Sequence, residues 1–182
     1  MDPLETPPSR PWLAVGQEIA RLLERIDPAA FERVVQAFER QGRRWFFSGQ
    51  GRSGLSAQMA AMRFMHIGHR VHFLGEVTAP SVRAGDGLLI ISGSGTTPVS
   101  VGFAEIAKSE GAEVIALTHK PQSKLAGIAD VVLPVPVETT AQFGGSLFEQ
   151  TCLILLDAVI LDLASRIPDA HKLMWHRHTN MQ

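Results

Sequence analysis

The 182-residue chain has one cysteine, few lysines and almost no net charge, and each shortage removes a class of function. A lone Cys152 excludes an intramolecular disulfide and any zinc site built on a cysteine cluster. The lysines are Lys108, Lys120, Lys124 and Lys172, which leaves few candidates for a Schiff base with a carbonyl substrate. Seventeen basic against eighteen acidic residues give a net charge of -1, so no overall field draws the protein to nucleic acid or an anionic membrane, and neither is expected as a partner. Long apolar runs are missing too. The most apolar segment, Leu153 to Ala164, is broken by Asp157 and Asp162 and falls short of the ~18 residues of a membrane span. No G-x-x-x-x-G-K-S/T motif occurs, which disfavours nucleotide hydrolysis on a P-loop. The first eleven residues are acidic and proline-rich, unlike a secretory leader, and are expected to form a flexible lead-in. Together these absences point to the cytoplasm.

With 45% hydrophobic and only 19% charged residues, the chain can bury a real core, and residues 12–182 read as one α/β domain. From Trp12 to Gln41 apolar residues recur at helical spacing, with Asp27 and Pro28 between the two halves as N-cap and first helical residue. This predicts a helical hairpin. The period then changes, and short runs rich in β-branched and aromatic residues appear at Trp45 to Phe47, Val71 to Leu74, Leu88 to Ile91, Val114 to Leu117 and Val131 to Val135. Helical stretches lie between and after them, at Ser53 to Ile67, Pro98 to Ser109, Ser123 to Ile128 and about Ser146 to Arg166. Strands alternating with helices predict a parallel five-stranded sheet flanked by helices on both faces.

One internal echo carries functional weight. Phe46 to Gly54 and Ile90 to Pro98 share a plan: two apolar residues, Ser-Gly-x-Gly, then a hydroxyl residue opening a helix. Such corners aim backbone amides and a helix N-terminus at one point, which favours an anion, and in open parallel sheets ligands sit beyond these strand ends. Ser92, Ser94, Thr96 and Thr97 cluster within six residues, a density suited to ringing a phosphate monoester; the plainer alternative is that they cap a helix. Gly51, Arg52 and Ser53 occupy the matching place in the first corner, where Arg52 is suited to a bidentate phosphate contact. The first corner also fits G-x-G-x-x-G through Gly49, Gly51 and Gly54, with Glu76 where a ribose-binding acid belongs, so dinucleotide binding competes.

These corners resemble the SIS (sugar isomerase) domain. More narrowly, Gly51 to Gly54, Met62 to Gly68, Gly75 to Pro80, Gly85 to Gly87, Gly144 to Glu149 and the tail Arg177 to Gln182 resemble the 6-phospho-3-hexuloisomerases, from about residue 30 onward. Gln50, Ala79 and Gln182 depart from that family's usual residues. The resemblance implies interconversion of D-arabino-3-hexulose 6-phosphate and D-fructose 6-phosphate through an enediolate. It also implies Glu149 as the base, no cofactor, no metal, a homo-oligomer (dimer or tetramer) and a pathway link to a 3-hexulose-6-phosphate synthase. Shielding by Phe143, Leu147 and Phe148 is expected to raise the Glu149 pKa. His66 and His178 are the candidates to polarise the enediolate, His178 from a tail able to reach a neighbouring subunit, and Glu76 is kept as a sugar-hydroxyl contact. His66, His69 and His72 are expected to fan out after Gly68, and Arg63 to make a buried structural pair. Alternatives remain an isomerase for another sugar phosphate, such as arabinose 5-phosphate, and a non-catalytic phosphosugar sensor.

Overall fold

Asp27 and Pro28 split the N-terminal apolar pattern as their chemistry requires. In the computed structural model, which describes residues 10–40 and 42–181, helix α1 (Pro11–Leu23) is followed by α2 (Pro28–Glu39). Pro28 has no N-H to leave unpaired, and the Asp27 carboxylate accepts from the Ala29 N-H at 3.0 Å. The lead-in expected over 1–11 lies outside the described residues except for its last two, and Pro11 already belongs to α1.

The remaining order is β1 (Arg44–Gly49), α3 (Arg52–His66), β2 (Arg70–Phe73), β3 (Gly87–Ile91), α4 (Pro98–Ser109), β4 (Glu113–Thr118), α5 (Lys124–Ile128), β5 (Val131–Pro134), α6 (Ser146–Ser165) and α7 (Ala170–Arg177). All five expected strands are present, with ends within two residues. Helix α7 was not legible, because His171, Lys172, His176 and Arg177 give it no apolar stripe. Tertiary contact holds it: it packs on α3, and Arg177 Nη1 donates to the His66 carbonyl at 3.1 Å, capping the end of α3. Of the tail read from Arg177 to Gln182, only Arg177 is helical, and His178 follows as the C-cap of α7 in extended conformation.

The sheet is wholly parallel in the order β2-β1-β3-β4-β5. Alternating side chains of each strand feed two cores. Trp45, Phe47, Leu89, Ile91, Ile115 and Leu117 face the larger one, under α2, α3 and α6, where Phe38 stacks on Phe64 at 4.0 Å. Phe46, Leu88, Ile90, Val114 and Ala116 face the smaller, under α4 and α5. Among the described residues no helix is long and apolar enough to cross a membrane.

From β1 the chain crosses to β2 on one side, and from β3 it crosses to β4 and β5 on the other, although β1 and β3 are neighbours. The strand order therefore reverses between β1 and β3, and a crevice opens beyond their carboxyl ends. Both Ser-Gly-x-Gly corners lie there.

Candidate active site

The first corner is tight by necessity. A Cβ on Gly49 would lie 2.7 Å from the Ser53 carbonyl group, and one on Gly54 would lie 2.7 Å from the Gly49 oxygen, so only glycines let α3 start directly against the end of β1. In the second corner Ser92 Oγ approaches Thr97 Oγ1 at 3.5 Å, and Ser94 Oγ accepts from the Thr96 N-H at 3.3 Å and its hydroxyl at 3.2 Å. Gly95, at φ +62°, bends this loop onto α5, where its carbonyl accepts from Leu125 N-H at 3.0 Å.

The plainer reading of the hydroxyl cluster fails on one detail. Thr97 occupies the N-cap position of α4 but makes no side-chain cap hydrogen bond. Gly51 and Gly145, at the N-caps of α3 and α6, have no side chain to cap with. Three helices thus begin at this end of the sheet with side-chain-uncapped N-termini, whereas Asp27 and Ser123 cap α2 and α5. Free N-H groups and three helix dipoles make the region attractive to an anion. The hydroxyls of Ser48, at the end of β1, and Ser100, in the first turn of α4, are buried without a hydrogen-bond partner among the described residues. Ser48 entered the sequence reading only as part of the first Ser-Gly-x-Gly corner, and Ser100, inside the helix pattern, carried no local signal.

Glu149 lies in the first turn of α6, 5% exposed, with its Oε1 paired to Arg52 Nε from the first residue of α3. The Ser56 hydroxyl donates to the Glu149 carbonyl at 3.2 Å, fastening α3 to α6 a turn further on. Phe148 packs edge-on to His119 at 6.0 Å, and both side chains lie against Gly93. The start of α6 thereby meets both corners. His119, which follows β4, was missed in the sequence because nothing local marks it; burial first, then Lys120, holds its pKa below the ordinary value. Burial first and the Glu149 carboxylate second push the Cys152 thiol well above its usual range.

Several residues sit differently from the expectation. Phe143 is 89% exposed and does not shield Glu149, whose buried carboxylate is ion-paired with Arg52. Arg52 is engaged with that carboxylate, so a free bidentate clamp for phosphate is not what the structure shows. Arg63 is half exposed, with Nε 3.8 Å from Asp157 Oδ1, because it lies on the outer side of α3; it makes a loose surface pair, not a buried one. Glu76 is exposed beyond the edge strand β2. With Met62 and His72 it lines an opening of about 230 Å³ between α3 and β2, away from the β1/β3 crevice.

His66 and His178 come together, but not at Glu149. Their rings stack at 5.3 Å, and Trp175 stacks on His178 at 5.4 Å. His66 ends α3 and Arg52 begins it, so within one chain the two ends are about 20 Å apart. Burial first, then His178 and Arg63, depresses the His66 pKa. As expected, His69 and His72 diverge from it, His69 onto Phe38 and Phe64, His72 onto Phe46.

A doubly wound parallel sheet with an anion-attracting crevice at its switch point is the architecture of the sugar isomerase class, and the SIS domain model matches residues 39–161. The 3-hexulose-6-phosphate isomerase of Mycobacterium gastri is 40% identical over 176 residues, 92% of this chain and 88% of that protein. The 3-hexulose-6-phosphate isomerase of Bacillus subtilis is also 40% identical, over 75% of this chain and 79% of its own. The crystal structure of a Methanococcus jannaschii protein, described as inferring a molecular function of 3-hexulose-6-phosphate isomerase, superposes with a TM-score of 0.83 at 30% identity, covering 94% and 98% of the two chains. The chain belongs to the SIS domain family and, within it, to the group of the 3-hexulose-6-phosphate isomerases.

Proposed function

We propose that this protein interconverts D-arabino-3-hexulose 6-phosphate and D-fructose 6-phosphate, with Glu149 as the base. The observation that carries this reading is the buried Glu149 carboxylate at the start of α6, joined to the start of α3 by Arg52, where side-chain-uncapped helices and the Ser92 to Thr97 loop meet the switch point. The names of the relatives support the substrate.

Moving the carbonyl from carbon 3 to carbon 2 requires taking the proton from carbon 2 onto a carboxylate oxygen. The electron pair passes into an enediolate, the same proton is returned to carbon 3, and a hydroxyl proton shifts from the carbon 2 oxygen to the carbon 3 oxygen. One base does both transfers. The 6-phosphate binds Ser53, Ser92, Ser94, Thr96, Thr97 and the Gly51 amide, and this remote binding holds the reacting carbons in place. It also occupies the hydroxyl that would close a five-membered ring on carbon 3, so the 3-keto sugar arrives open-chain.

The polariser comes from a second copy. Arg52, Leu55, Met59, Met62 and His66 form one stripe on α3, and Leu55, Met59 and Met62 are each at least half exposed. Arg52 and His66 both stand seven residues from Met59. Two α3 helices packed antiparallel about Met59 therefore set the partner's His66 and His178 beside Arg52 and Glu149. The same contact covers the apolar stripe.

The test is a coupled assay of fructose 6-phosphate formation from freshly generated 3-hexulose 6-phosphate. Glu149→Gln is expected to lower turnover by about three orders of magnitude or more while phosphosugar binding is retained. Equal turnover in both proteins removes Glu149 from the role, and no turnover by the wild type removes the substrate.

A further inference from the structure

Between β5 and α6 the chain runs through residues 135–145 without regular structure, and this segment delivers Glu149 to the crevice. Among the described residues, no backbone N-H from 138 to 145 donates to another backbone carbonyl. Its order comes from a side chain on the N-terminal hairpin instead. Glu18, on α1, accepts from Thr140 Oγ1 at 2.7 Å, from the Ala141 N-H at 2.8 Å and from Gln142 Nε2 at 3.0 Å. Thr140 Oγ1 in turn accepts from the Gln142 N-H at 3.0 Å. A second tie from the hairpin joins Arg25 Nη2 to Glu138 Oε1 at 2.5 Å. Directly after the clamp come Phe143, whose carbonyl accepts from the Ser146 N-H and hydroxyl, and Gly145, whose carbonyl accepts from the Glu149 N-H at 3.0 Å. The Glu18 carboxylate is thus joined to the first turn of α6 by hydrogen bonds to 140–142 and, through the backbone that follows directly, by those of Phe143 with Ser146 and of Gly145 with Glu149.

We infer that Glu18 is a positioning residue for the isomerisation: it fixes residues 140–142 and, through the 143–146 turn, sets where the Glu149 carboxylate stands against the substrate. The inference rests on Glu149 being the base. Burial works against the charge on Glu18, but the bonds from Ala141, Gln142 and Thr140, with Arg21 nearby, outweigh it and hold its pKa below the ordinary value. The clamp is ionised at neutral pH. A carboxylate receiving three donors on one short segment fixes direction as well as distance, and displacing a base by about 1 Å slows proton transfer about a hundredfold. Binding of the phosphate, which depends on the β1 and β3 corners, is left intact.

The experiment measures kcat, KM and Tm for Glu18→Ala, Glu18→Gln and Thr140→Val, each alone and in the Glu149→Gln background, with amide exchange of 140–146 followed in parallel. Expected for Glu18→Ala is a fall in kcat of about tenfold or more with KM changed less than about twofold, faster exchange at Ala141, and partial rescue in Glu18→Gln, which keeps one acceptor oxygen. In the Glu149→Gln background the same change is expected to have almost no further effect, since the group it positions is gone. A fall of equal size in both backgrounds, a KM effect without a kcat effect, or an unchanged kcat overturns the inference. Equal turnover of the wild type and Glu149→Gln, measured in the same series, is instead the failure of Glu149 as base and withdraws the premise.

Discussion

Arg52 and Glu149 set the electrostatics of the crevice. A carboxylate 5% exposed needs a counter-charge, and Arg52 supplies it while itself remaining 65% exposed. Removing the guanidinium leaves the acid buried and unpaired, so Arg52→Leu is expected to destabilise the fold by about 1 to 2 kcal/mol in denaturant titration, less than for a fully buried pair because water reaches the arginine. Three histidines add a pH dependence. Burial is the leading cause that holds His66, His69 and His119 below the ordinary value of 6.5. The unfolded chain therefore takes up protons near pH 6.5 while the folded chain does not, so stability is full above that pH and falls as the pH drops below it. Urea midpoints measured from pH 8 to pH 5.5 are expected to decline across that window, and His69→Phe is expected to flatten the decline.

Elements act here through their ends. Helices α3, α4 and α6 have N-termini free of side-chain caps, gathered at the crevice, and so forgo the roughly 1 kcal/mol that a cap contributes; in the proposed function these ends face the phosphate. The loop before α4 depends on Gly95, where φ is +62° and an added Cβ would lie 2.0 Å from Ser123 Oγ. Gly95→Ala is expected to cost about 1 to 3 kcal/mol and to weaken phosphosugar binding, both read by thermal shift with and without fructose 6-phosphate. Adding Ser123→Ala removes the hydroxyl but leaves the residue 123 Cβ 2.5 Å from the new methyl and the backbone strain in place, and it removes the cap of α5, so it is not expected to restore stability.

At the scale of the whole molecule, Leu55, Met59 and Met62 are exposed on α3 and Ile154 is exposed on α6, which packs on α3 with the Arg63 to Asp157 pair between the two helices. If the partner's His66 and His178 complete the crevice, assembly and activity fail together. Met59→Arg, at the centre of the proposed two-fold contact, is expected to yield monomers in sedimentation and to lose most turnover although Glu149 is intact. Monomers with full turnover would refute the shared site.

The alternating runs of strand and helix, Asp27 with Pro28, and the two Ser-Gly-x-Gly corners were legible because each depends on neighbours within a few residues: period, capping, and the small residues of a tight turn. The resemblance carried by Gly51 to Gly54 and Gly144 to Glu149 reached the family for the same reason. Tertiary structure decided the rest. The pairing of Arg52 with Glu149 joins residues 97 positions apart, and the clamp of Glu18 on Thr140, Ala141 and Gln142 joins residues more than 120 apart. No local pattern encodes such distances. Helix α7 has no apolar period and exists through its contact with α3, and the separation of His66 from Glu149 follows from the pairing of Glu149 with Arg52, at the opposite end of α3, which no local pattern reports. Local chemistry determined the elements and the kind of ligand, whereas packing determined which charges meet, because burial and counter-charge are properties of the assembled chain.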